Sequence, residues 1–185
     1  MNLNHLSTIN SGFYSSTIKE GDVYYLQARD FNEERKIVQN LKPTLSYTKN
    51  IEKHFLNEGD VLIVAKGASF LSVVFDASYS PAVASTVFLV IRIRDKRKLL
   101  PQFLSWYINL PKTQLELLMK GEGTKMPTIS KKIIQELEIP LPTIKVQENI
   151  IKIEELKREE KFLNRKINEL KDIQLNQLIL NAIIN

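Results

Sequence analysis

The chain contains no cysteine, which excludes disulfides and thiolate metal sites and removes any argument for secretion. Histidine is nearly as scarce. His5 and His54 are the two present, and they lack the His-Glu-x-x-His spacing of a zinc site, so no metal is expected. Glycine is sparse too, with six residues. Gly121-x-Gly123 has Met126 where a dinucleotide fingerprint needs its third glycine, and no strand precedes it. No Gly-x-x-x-x-Gly-Lys-Ser/Thr loop occurs, so a phosphate-cradling nucleotide site is missing. No Pro-Pro pair occurs, which removes the Asn/Asp-Pro-Pro-aromatic loop of amino-methyltransferases. A nuclease of the Asp…Glu-x-Lys kind needs an acid where Val64 stands, leaving Asp60 and Lys66 without a middle metal ligand. No catalytic residue and no cofactor are therefore assigned. The apolar stretches, Val83–Ile93 among them, are too short and polar to span a bilayer. The opening Met-Asn-Leu-Asn-His has no basic start and apolar run. The cytoplasm is the expected location.

What is present fits one domain and one appended element within 185 residues. Apolar residues make up 43% and charged residues 25%, ordinary values for a globular chain. The net charge of +5 and pI near 9.3 lean towards an anionic partner. The distribution says more than the sum. Residues 92–98 read Arg-Ile-Arg-Asp-Lys-Arg-Lys, and Lys120, Lys125, Lys131 and Lys132 surround two glycines and a proline. Each cluster reads equally as a solvated surface.

Two segments share the opening Glu-Gly-Asp-Val, at 20–23 and 58–61, each feeding an apolar run. That pattern is a turn followed by a strand, and two turns of similar chemistry explain it more simply than duplication. Leu71–Phe75 and Thr86–Ile93 are further strand candidates whose continuous apolar character predicts burial on both faces. Residues 28–36 read as an exposed loop or short helical turn. From Pro101 the period becomes helical, and Pro101 and Pro111 predict two short helices. Gly121-Glu122-Gly123 should end the second through a left-handed glycine cap. Ser130 is a candidate N-cap ahead of Ile133 and Ile134, and Ile139-Pro140-Leu141-Pro142 must be extended.

After Pro142 the composition changes. Residues 143–185 hold no glycine or proline, and Ile153, Leu156, Leu163, Ile167, Leu170 and Ile173 form an apolar seam at helical spacing. A helix of about 40 residues is a rod of roughly 60 Å that cannot bury such a seam alone. Either it packs along its own domain or it pairs with another helix, and pairing is the expectation because the rod is longer than a domain of this size is wide. The boundary therefore falls between a domain at 1–142 and a helix at 143–185.

Several segments then line up in one order. Ser11-Gly12-Phe13 precedes Gly21-Asp22-Val23-Tyr24-Tyr25-Leu26-Gln27-Ala28-Arg29-Asp30-Phe31. Asn57-Glu58-Gly59-Asp60-Val61-Leu62-Ile63-Val64-Ala65-Lys66-Gly67 follows, then Pro101-Gln102-Phe103-Leu104-Ser105-Trp106-Tyr107, and finally Leu137-Glu138-Ile139-Pro140-Leu141-Pro142 with Gln147 beyond. The set resembles the target-recognition domain and conserved helix of type I restriction–modification specificity subunits. Members of that family usually carry two recognition domains and two such helices; one of each is seen here, which suggests a half subunit that homodimerises or a fragment that swaps specificity. The resemblance implies an α+β fold, with a mixed, mainly antiparallel twisted sheet, short helices and one long C-terminal helix forming an antiparallel coiled coil. It implies a non-catalytic subunit that holds a bipartite double-stranded DNA target. S-adenosylmethionine would be bound by a separate methyltransferase subunit, and cutting done by a motor–nuclease subunit. The rival reading is a helical assembly or regulatory module without sequence-specific DNA binding.

Loops are the natural carriers of base and phosphate contacts, because they reach a groove while the sheet stays rigid. The first candidate is the loop with Lys120, Gly121, Gly123, Thr124, Lys125, Ser130 and Lys131, which also reads as a plain helix–helix connection. Lys66, Gly67 and Ser69 follow as a basic turn at a strand end. Tyr79 and Ser80 precede Pro81 and reach bases, unless Tyr79 is a core edge. Arg29 either makes a bidentate contact to guanine or pairs with Asp30 or Glu33. Arg92 and Arg94 alternate along a strand and share one face. Trp106 is expected in the core.

Overall fold

The computed structural model describes the chain except residues 33–35, 39, 68, 124, 125 and 185. Two compact units make it up, Met1–Glu148 and Asn149–Asn185. The first is built on a four-stranded sheet of β1 (Ser7–Ser11), β3 (Val61–Val64), β4 (Ser72–Val74) and β6 (Phe88–Ile93). Its order is β1-β6-β3-β4 with every neighbour antiparallel. A second sheet pairs β2 (Tyr24–Leu26) with β5 (Ala82–Ala84) in parallel. The turn-then-strand reading holds at both Glu-Gly-Asp-Val segments, yet their environments differ. Asp22 is exposed, whereas Asp60 is buried and bound by Arg92.

β6 is central and apolar on both faces, as its sequence predicts, with five of six residues buried. On one face Leu62, Val73, Phe88 and Val90 join Leu26, Ala82 and Ala84 of the small sheet in a single cluster. The other face carries the helices. α1 (Leu3–Leu6) and α4 (Lys131–Gln135) pack on β1, and α2 (Pro101–Ile108) packs on β3 and β4. α3 (Pro111–Lys120) follows α2 directly. Each of these two helices has proline at its start, where the missing N–H costs nothing.

β4 is an edge strand, and side chains from α2 and α3 occupy backbone groups beside it. Asn109 Oδ1 accepts from Ser72 N at 2.9 Å while its Nδ2 donates to Ser72 O at 2.7 Å. Gln114 does the same for Phe70, at 3.0 Å each way. The arrangement blunts an edge that would otherwise template strand pairing.

α5 runs from Ile144 to Ile184 without a break, as expected of 41 residues lacking glycine and proline. Its first turn belongs to the first unit and is pinned by Gln147, which is fully buried. Gln147 Nε2 donates to Lys98 O and Pro142 O at 2.9 Å each, and its Oε1 accepts from Leu100 N at 2.9 Å. In the second unit the seam residues Ile153, Leu156, Leu163, Leu170 and Ile173 are each more than half exposed, and Ile167 is 48% exposed.

Two local expectations need correction. Gly121 is not left-handed; it leaves α3 at φ −67°, ψ 149°, because Glu122 pairs at once with Thr128 in extended backbone. The left-handed glycine is Gly123, at φ 99°. Trp106 is half-buried rather than core. It lies against Phe103 at a ring distance of 5.4 Å, and Phe103 takes the buried position.

Candidate nucleic-acid interface

The sheet brings two of the expected basic segments together. β3 continues past Val64 through Ala65 to Lys66 and Gly67, and there it meets the connection between α3 and α4. Gly67 N donates to Pro127 O at 3.0 Å, Ile129 N donates to Ala65 O at 2.9 Å, and Lys66 bridges Thr128. Within the connection, Glu122 and Thr128 exchange two backbone hydrogen bonds of 2.9 Å. Glu122 and Thr128 are thus tied to each other, and Pro127, Thr128 and Ile129 to the end of β3. Ser130 caps α4, its Oγ accepting from Ile133 N at 3.4 Å, so Lys131 is held at the first helical position.

This rim exposes Lys66, Ser69, Gly123, Ser130 and Lys131. Thr124 and Lys125 lie outside the described residues. Among the described residues Lys66 and Lys131 have no carboxylate partner, whereas Lys120 is paired with Glu116 at 2.7 Å. The Glu116 hydrogen bond raises the Lys120 pKa. Lys66 and Lys131 are thus the better placed cations for an external anion.

The remaining candidates lie elsewhere. The 92–98 run is largely consumed within the domain. Arg92 Nε and Nη2 donate to the two Asp60 carboxylate oxygens at 2.8 and 2.6 Å, and Nη2 also donates to Phe55 O at 3.0 Å. The Asp60 bond raises the Arg92 pKa. Arg94, one residue beyond β6, donates from Nε to Ser7 O at 3.3 Å. Lys96 Nζ donates to Glu58 O, and Arg97 pairs with Asp95 at 3.0 Å. Arg29 is exposed in the 3₁₀ turn Ala28–Asp30, with no ion pair among the described residues. The neighbouring Asp30 carboxylate instead caps that turn through Gln27 N at 2.7 Å. Tyr79 meets Tyr24 edge-on at 5.5 Å and packs against the buried cluster, with Ser80 exposed beside it.

Sequence reasoning passed over a group that the fold assembles from three distant segments. Asn10 and Ser11 of β1, Lys53 and His54 of the 3₁₀ turn Lys49–His54, and Arg92 of β6 line one cleft of 420 Å³. No local pattern links these residues. The alternation of exposed Thr8 and Asn10 with buried Ser7 and Ile9 is the one sequence-level sign that β1 has an open face. Among the described residues no three His, Asp or Glu side chains converge as a metal site, and no helix is long and apolar enough to cross a membrane.

A family model described as the type I restriction modification DNA specificity domain matches residues 1–172. No curated protein matches the chain. Among solved structures, a chain from work on complex assembly and conformational transition of the type I R-M system superposes with a TM-score of 0.66 at 17% identity. That match covers 96% of this chain and 42% of the other. The type I restriction–modification S subunit from M. genitalium gives 0.59 at 14% identity, covering 86% and 38%. The HsdS subunit from Thermoanaerobacter tengcongensis gives 0.57 at 20%, covering 89% and 38%. At these identities the likeness is one of fold, and the chain spans about two fifths of each neighbour's length.

Proposed function

Because the chain belongs to the family of type I restriction modification DNA specificity domains, we propose that it is a non-catalytic DNA-recognition module. It holds one half of a bipartite target in the cytoplasm and positions a methyltransferase subunit and a motor–nuclease subunit there. The observation that carries this is the rim. Two basic, glycine-bearing segments some 60 residues apart in sequence are hydrogen-bonded into one exposed surface at the end of the sheet. Backbone amides and lysines on such a surface set register on phosphates, and neighbouring side chains reach base edges. The domain is residues 1–142, and residues 143–185 supply the assembly helix. Its apolar seam pairs antiparallel with the same helix of a second copy, which gives a symmetric dimer.

The test is binding of the full chain to a duplex of about 30 base pairs, followed by fluorescence anisotropy across a salt series. Neutralised phosphates release counterions, so affinity should fall steeply with a linear log–log slope. Changing Lys66 and Lys131 to alanine should lower that slope by about one per contact. A wild-type chain with no salt-dependent DNA binding would leave the helical assembly module as the surviving reading.

A further inference from the structure

The cleft between the open face of β1 and the turn Lys49–His54 has the chemistry of an anion site. Arg92, Lys53, Asn10 and Ser11 line it, and no aspartate or glutamate does. Arg92 is held rigidly: Asp60 and Phe55 O take its Nε and Nη2. Nη1 is left without a partner among the described residues, on a side chain 39% exposed. Since Asp60 offsets the guanidinium charge, the ammonium of Lys53 is the uncompensated cation. Burial, and then the Lys53 charge, lower the His54 pKa, which disfavours a second charge beside Lys53. One net positive charge ringed by N–H and O–H donors matches a singly charged phosphodiester.

The wall behind these groups is backbone packed without slack. β1 crosses from the large sheet to β5 at Gly12, whose N donates to Phe88 O at 2.9 Å, while Phe13 N donates to Ala84 O at 2.8 Å. A side chain at Gly12 would place its Cβ 1.9 Å from Ser85 O, so only glycine permits the crossing. The cleft runs from that crossing along β1 to Arg92. Arg92 takes Asp60, one residue before β3, whereas Lys66 of the rim lies two residues past the end of β3, six residues or roughly 20 Å along the strand. That distance covers about six base-pair steps at 3.4 Å, within one turn of a duplex.

We propose that this cleft is a second DNA subsite, taking a backbone phosphate on Lys53 Nζ and Arg92 Nη1 while the rim engages the same duplex about six base pairs away. The proposal rests on the DNA-recognition reading and adds to it a contact outside the rim. Lys53 is exposed, so Lys53→Ala should leave the fold intact and weaken binding to every sequence alike. The log affinity versus log salt slope should flatten by about one, making the loss between about 50 and 200 mM salt roughly threefold smaller. Lys53→Arg should restore the slope, and Asn10→Asp, which puts a carboxylate into the cleft at an exposed edge-strand position, should weaken binding further. Unchanged slope and affinity in Lys53→Ala and Asn10→Asp, while the wild type binds normally, would overturn the phosphate subsite alone. A Lys53→Ala effect confined to particular sequences would also overturn it, by making the cleft a base reader. Absence of DNA binding by the wild type would instead defeat the reading on which the proposal rests.

Discussion

In residues 1–148 leucine, isoleucine and phenylalanine face one another: Leu62, Phe75, Phe88 and Ile91 are all at or below 1% exposed. Beyond residue 149 the same kinds of side chain face solvent along α5, with Leu163 at 51% and Ile183 at 74%. The contrast separates two ways of using apolar residues. The first unit encloses its core between a sheet, a second small sheet and the helices α1–α4, so folding alone supplies the hydrophobic stabilisation. A single helix has one stripe and nothing to enclose it, and burial must come from association. The proposed recognition surface sits on the self-sufficient unit, and the part proposed to depend on a partner is the helix.

The largest effect that would break this comparison is in the helix. Leu163→Asp with Ile167→Asp should abolish self-association in sedimentation at tens of micromolar while leaving the melting of the first unit unchanged. A wild-type chain that sediments as a monomer there would remove the pairing half of the contrast. The converse substitution sharpens it. Phe88 is buried at 1% and meets Phe31 edge-on at 5.8 Å. Phe88→Ala should cost the first unit about 3–5 kcal/mol in denaturant unfolding. A loss below about 1 kcal/mol would mean that the two sheets do not form one core.

The sequence was most informative where structure is local. Pro101 and Pro111 begin α2 and α3, the glycine turns precede β2 and β3, and the long helix runs uninterrupted, because caps, turns and periodicity act over a few residues. It was least informative where contacts are long-range. Parallel pairing of β2 with β5 joins residues nearly 60 positions apart, and two three-residue strands carry no periodicity strong enough to announce it. A left-handed glycine cap is expected within Gly121-Glu122-Gly123, and it falls at Gly123 because the Glu122–Thr128 pairing requires extended backbone at Gly121. The site divides along the same line. The rim segments were legible as glycine-bearing lysine clusters, and their union came from strand register. Arg92 looked like a free cation until the fold set it against Asp60, 32 residues away, and the cleft draws on three segments with no shared local signal.

The proposed symmetric pair of these chains reads two inverted half-sites through surfaces held apart by paired helices. Selection of bound targets from random duplex DNA with the full chain tests it most directly. Identical domains related by a two-fold axis must read inverted copies of one sequence, separated by an unread spacer. The half-sites should lie one to two duplex turns apart, at about 34–36 Å per turn, given helices of roughly 60 Å. Recovery of inverted half-sites with a fixed spacer is the predicted result. A contiguous target, or two unrelated halves, would contradict the symmetric pair.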